Sequence, residues 1–94
     1  MKSKVVVVGT GIMGAGIAAG FIAKSIPVVI LGRSLEKAAT CLDKSVALAK
    51  KIGVDGDNAT KDEADIKKQQ VIGILENWHD WSNCSWVIET VAED

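Results

Sequence analysis

Valine fills every position from Val5 to Val8, and uncharged residues continue from there to Ala23. A run of β-branched side chains without polar alternation reads as a strand buried on both faces, as in the interior of a parallel sheet. A helix is predicted next, from about Ile12 to Lys24, with Ile17, Phe21 and Ile22 among the side chains holding it on the sheet and Pro27 closing it off. Val28 to Leu31 is again apolar throughout, a second strand between layers. The period then changes. Leu35, Ala38, Ala39, Leu42, Val46 and Ala49 recur at helical spacing behind Ser34, a good N-cap. Lys50 and Lys51 fall in the last turn, where the helix dipole favours cations, and Gly53 is the stop.

The segment Gly53 to Ala59 has the acids and glycine of a calcium loop but neither their order nor the closing Glu, so it reads as a polar turn. Thr60-Lys61-Asp62-Glu63 has the form of a capping box and predicts a short, mostly solvated helix from about Lys61 to Gln69. Val71 to Leu75 is the third strand and Trp86 to Val91 the fourth. The connection between them is too short for a regular crossover helix, and Trp78, Trp81 and Trp86 are expected to pack over a sheet face. Strands alternating with helices, joined by right-handed crossovers, give a parallel sheet in the order 3-2-1-4 with the first two helices on one face. The fold class is α/β, about four strands, with residues 1–94 forming one domain. In that order the fourth strand is an edge and much of one valine-rich face lacks cover, from which a homodimer is expected.

The turn after the first strand carries the chemistry. Gly9-Thr10-Gly11-Ile12-Met13-Gly14 is a G-x-G-x-x-G sequence set between a buried strand and a helix. Gly9 lets the chain turn tightly, Gly11 leaves the backbone bare for a pyrophosphate, and Gly14 lets the helix lie close on the strand. The amides of Ile12 and Met13 then face an anion at the positive end of the helix dipole. Residues 9–14, Thr10 included, are the candidate pyrophosphate site, and the fold they imply is Rossmann-like. A residue reading the adenosine ribose is expected about 20 positions on, at the end of the second strand. Gly32-Arg33-Ser34 stands there. Without an acid to repel it, a 2′-phosphate can bind Arg33 and the Ser34 hydroxyl, which favours NADP.

Composition narrows the field. A net charge of -1 gives no reason to expect nucleic acid or an anionic membrane as partner, and 48% apolar with 4% aromatic residues describes an Ala, Val and Ile interior. Lys2 and Lys4 before the uncharged stretch imitate a signal peptide or a membrane span. Five glycines between Gly9 and Gly20 argue against both, and Gly16 with Gly20 is read as a seam for close packing on the sheet. Cys41 and Cys84 have no paired spacing and point to reduced thiols in the cytoplasm, Cys41 as a small buried or half-buried filler. His79, Asp80 and Cys84 lack the second cluster that a metal site needs, so no metal is expected.

The run Gly9-Thr10-Gly11-Ile12-Met13-Gly14-Ala15-Gly16-Ile17-Ala18 closely resembles the N-terminal signature G-x-G-x-M-G-x-G-I-A of the 3-hydroxyacyl-CoA dehydrogenase family, oxidoreductases of fatty acid metabolism. Val87-Ile88-Glu89-Thr90-Val91-Ala92-Glu93-Asp94 is similar to that family's fourth strand, V-I-E-A-V-P-E-D. The likeness covers the whole chain and only part of the family's protein. It implies an NAD-binding domain in which Gly9, Gly11 and Gly14 serve the pyrophosphate, position 32 the adenosine ribose, and Glu93 the nicotinamide ribose. It also implies acyl-CoA as a partner through a domain beyond this chain, with a CoA contact mapping near Ser45 and Lys51. The family's catalytic His and Glu pair falls outside these residues, so the chain alone is expected to be inactive, either as a shortened dehydrogenase or as a stand-alone nucleotide-binding or protein-interaction module. Two departures stand out: the family has Asp where this chain has Gly32, and Gly in the turn where this chain has Ile26-Pro27.

Overall fold

A computed structural model describes residues 4–82 and 84–90 of the chain. Four parallel strands, β1 (Lys4–Val8), β2 (Val28–Gly32), β3 (Val71–Ile74) and β4 (Cys84–Glu89), lie in the order β3-β2-β1-β4. Three helices connect them: α1 (Ile12–Ala23), α2 (Leu35–Ile52) and α3 (Glu63–Lys68). β1 is central, pairing Val5 with Val28 on one side and with Trp86 on the other. The architecture read from the sequence is the one observed.

Both faces of β1 and β2 are closed. Val5, Val7, Val28 and Ile30 face the helices, meeting Ala15, Ala18, Ala19 and Ile22 of α1 and Ala38, Cys41, Leu42, Val46 and Ala49 of α2. The alanines let both helices sit low on the sheet, and Cys41 is the buried filler expected of it. On the opposite face Val6, Val29 and Leu31 are also buried, with Trp78, Val8, Val71 and Cys84 packed against them. The expectation of a largely uncovered valine face is therefore corrected over these strands. The cover is the crossover from β3 to β4, which runs through a 3-10 turn at Leu75–Asn77 and lays Trp78 over Gly73 and Leu31. Only Trp78 does this. Trp81 is exposed, and Trp86, beside Val5, is 69% exposed at the rim. Val87 is 51% exposed, so β4 is an open edge among the described residues.

Four smaller expectations change. Gly16 and Gly20 lie on the solvent side of α1, with nothing beyond their own stretch of helix backbone within 4 Å of where a Cβ would stand, because the buried stripe runs through Gly14, Ala15, Ala18, Ala19, Ile22 and Ala23. α3 is capped by Asp62, whose carboxylate accepts from Asp65 N at 2.9 Å, and not by Thr60. Lys61 N donates to Asn58 O and keeps the preceding residues in a turn, so the helix starts later than the capping-box pattern implies. Leu75 leaves β3 for the 3-10 turn. β4 starts two residues early at Cys84, with a register slip between Lys4 and Val5 that sets Ser85 out of step, and it ends at Glu89; Val91 lies outside the described residues. Among the described residues no helix is long and apolar enough to cross a membrane.

Candidate functional site

The carboxyl ends of β1, β2 and β4 bring three loops together. β1 leads into Gly9, whose φ of +116° lies in the region that L side chains rarely adopt. Gly9 N donates to Leu31 O at 2.9 Å, which ties the turn to the neighbouring strand. Gly14, one turn into α1, lies so close to the Gly9 carbonyl that a Cβ would collide with it. The two glycines thus have separate physical duties: one supplies the backbone angle and the other the close approach of helix to strand.

The start of α1 differs from the other two helix starts. Ser34 Oγ caps α2 by accepting from Lys37 N at 3.2 Å, and Asp62 caps α3. Gly11 at the N-cap of α1 offers no side chain, and no acid stands in the first turn. The first-turn amides of Ile12 and Met13 have no intrahelical acceptor and project outward beside two exposed side chains, Ile12 being 87% exposed. Donors without an acceptor among the described residues, at the positive end of a helix dipole and beside bare glycine backbone, make a cradle for an anion.

Gly32 closes β2 on the same rim and is buried against Thr10. Arg33 is exposed just beyond it. Ser34, half-buried, accepts from Lys37 N and so keeps its own hydroxyl proton for another acceptor. Residues 9–14 and 32–34 are therefore gathered at one end of the sheet, whereas Glu93 lies outside the described residues. This cradle, with a bare-glycine approach and an uncapped helix, fits a dinucleotide pyrophosphate.

The sequence of residues 4–94 matches the family described as 3-hydroxyacyl-CoA dehydrogenase, NAD binding domain. The chain belongs to this family. Its fold is shared with the dehydrogenase part of multifunctional enzyme 1 from C. elegans, at 23% identity and a TM-score of 0.66, over 100% of this chain and 21% of that one. It is shared equally with (S)-3-hydroxybutyryl-CoA dehydrogenase PaaH1 from Ralstonia eutropha, at 22% identity and a TM-score of 0.70, over 100% of this chain and 32% of that one. The chain thus spans about a third or less of the length of these solved structures. A comparison with curated proteins gives no match.

Within this 3-hydroxyacyl-CoA dehydrogenase NAD-binding domain, Thr90 is a neighbour of the cradle that the sequence reading passes over. Its N and Oγ1 both donate to Val8 O at 2.9 Å, and its hydroxyl rests against Gly9. The register held the signal, because Val8 lies beside Glu89 and the next residue of each strand must then meet. The mapping of a CoA contact to Ser45 is corrected: Ser45 is fully buried and its hydroxyl donates to Cys41 O at 2.7 Å, so it faces the core. Lys51 is exposed in the last turn of α2. Among the described residues no group of three or more His, Cys, Asp or Glu side chains gathers as a metal site. His79 is exposed on the crossover that returns the chain to the start of β4.

Proposed function

We propose that residues 1–94 act as one dinucleotide-binding domain in which Gly9, Thr10, Gly11, Ile12, Met13 and Gly14 hold the pyrophosphate, Gly32, Arg33 and Ser34 receive the adenosine ribose, and Glu93 serves the nicotinamide ribose. The observation that carries this is the uncapped N-terminus of α1 behind the Gly9 and Gly14 cradle. A bound nicotinamide would accept or donate hydride. The chain's own groups bind and orient it: first-turn amides donate to pyrophosphate oxygens, and the bare backbone at Gly11 allows their approach.

NADP is the preferred form in this reading. No acid stands at position 32 to take the ribose hydroxyls or repel a phosphate, Arg33 is exposed, and the Ser34 hydroxyl keeps its proton to donate. Glu36, in the first turn of α2, carries the opposing charge. Calorimetric titration with NAD and NADP tests it. NADP should bind more tightly, and Arg33→Ala should lower the NADP to NAD affinity ratio by about tenfold or more, the worth of one charge-assisted hydrogen bond. Equal affinities, or a ratio untouched by Arg33→Ala, would overturn the preference.

The activity served is oxidation or reduction of the 3-hydroxy group of an acyl-CoA, with the acyl-CoA held by parts of the protein other than these residues. On these residues alone no hydride transfer is expected in this reading, since they lack the His and Glu pair that the family resemblance implies, and His79 on the crossover from β3 to β4 is not expected to replace it. NADH or NADPH oxidation with acetoacetyl-CoA by this chain, abolished by a substitution within it, would count against that. The two free thiols suit the reducing cytoplasm. Self-association rests on the β4 edge, where Trp86 and Val87 are exposed on opposite faces. A monomer mass in sedimentation at high micromolar concentration, unchanged by Val87→Lys, would remove the homodimer.

A further inference from the structure

At the end of β2, a Cβ placed on Gly32 would lie 2.6 Å from Thr10 Cγ2, while Ala38 N and Ser34 O, at 3.6 Å, would be in ordinary contact. The Thr10 methyl therefore sits in the volume into which any side chain at position 32 would grow. Neither partner can easily withdraw. Gly9 is bonded to Leu31 O and backed by Thr90, so the loop holding Thr10 is fixed to the strand holding Gly32 on the residue just before each of them. Threonine carries two heavy atoms on Cβ, so of the two other χ1 rotamers one swings the hydroxyl into the methyl's place and only one leaves a hydrogen there.

We propose that Thr10 and Gly32 form a coupled selectivity pair. Thr10 keeps position 32 free of a side chain, and thereby excludes the carboxylate that would otherwise bind the ribose hydroxyls and repel a ribose phosphate. The ligand class so selected is a dinucleotide phosphorylated on its adenosine ribose. The proposal rests on the binding reading above and goes beyond it: an acid at position 32 is not enough to change selectivity while the Thr10 methyl remains.

Titration of NAD and NADP against the purified wild type, Gly32→Asp, Thr10→Ser and the double variant tests the pair. Gly32→Asp alone should weaken both nucleotides, while the double variant should regain NAD and shift the NADP to NAD ratio at least about tenfold toward NAD, the size of one charged hydrogen bond. A second readout needs no nucleotide. Gly32→Ala should lower the melting temperature by about 4 °C or more, and adding Thr10→Ser should recover at least half of the loss. A full switch by Gly32→Asp alone overturns the proposal, as does a Gly32→Ala loss that Thr10→Ser leaves unchanged. Recovery of stability with no shift in the ratio overturns the selectivity role alone. If the wild type binds neither nucleotide, the proposed function falls and the selectivity role with it, while the melting cycle still decides whether residues 10 and 32 share one volume.

Discussion

The hydroxyl of Thr90 occupies the space that a methyl on Gly9 would need, and it donates to the carbonyl of Val8 at 2.9 Å. Gly9 is thus constrained twice, by its backbone angle and by its neighbour on β4. Gly9→Ala should cost about 3 kcal/mol, combining a strained left-handed residue with an overpacked contact. Thr90→Ala alone should cost about 1 kcal/mol for the lost hydrogen bond. Urea unfolding of both single variants and the double should show that Thr90→Ala offsets part of the Gly9→Ala loss; strict additivity would mean that the two residues do not compete for the same space.

Gln70 starts β2 from a distance. Its Oε1 accepts from Val28 N at 2.8 Å and its Nε2 donates to Ile66 O at 2.9 Å, both buried. Gln70→Leu should destabilise by about 1–3 kcal/mol, because the Val28 amide is left in the core without an acceptor. A shifted urea midpoint together with faster amide exchange at Val28 would check it, and unchanged exchange there would assign the loss to another cause.

Ser25 joins the end of α1 to the loop after α2. Its φ is +59°, and its hydroxyl accepts from Asn58 N at 3.1 Å while donating to Asp55 O. Ser25→Ala should cost about 1–2 kcal/mol by losing both bonds while keeping the unfavourable angle. Ser25→Gly should cost less, since glycine adopts that angle freely. A glycine variant less stable than the alanine one would show that the angle carries no strain.

Much of this architecture was legible because it follows from periodicity. The valine runs, the Ser34 cap and the stripe of α2 each announce an element by local pattern, and the right-handed crossover rule then allows few sheet orders. Gly9 and Gly14 were legible because only glycine meets their geometry. Thr90, the Thr10 contact with Gly32 and the Gln70 bond to Val28 were not, since each joins residues far apart in the chain through side-chain detail that no local pattern encodes. Gly16 and Gly20 face solvent although their spacing suggests a packed seam, because spacing of four marks a face without saying which face is buried. Ser45 differs for the same reason: a residue that likeness maps to a surface contact sits on the inward side of α2.

Burial pushes the Cys41 thiol above its ordinary value, outweighing the Ser45 hydroxyl and Lys44, which lower it. In the unfolded chain this thiol ionises at the ordinary value of 9.0, whereas in the fold it holds its proton to higher pH. Its contribution to stability is therefore full below that value and declines as pH rises through the folded pKa. Cys84 is shifted in the same direction by desolvation and then Asp80, so wild type is best compared with Cys41→Ala. The urea midpoint of wild type should fall more steeply above about pH 9 than that of the variant. Parallel curves would mean that the Cys41 proton is not coupled to folding.

β1 and β4, the first and last strands in chain order among the described residues, are parallel neighbours, in register from Val5 beside Trp86 to Val8 beside Glu89. Tension applied between residues 4 and 90 would draw these two strands past each other along their length. The ladder bonds between them would then bear the load together in shear, with none opening one at a time as in a hairpin pulled from its ends. A sheet ordered to gather three loops at one rim is, by the same ordering, a clasp against stretching along the strand axis.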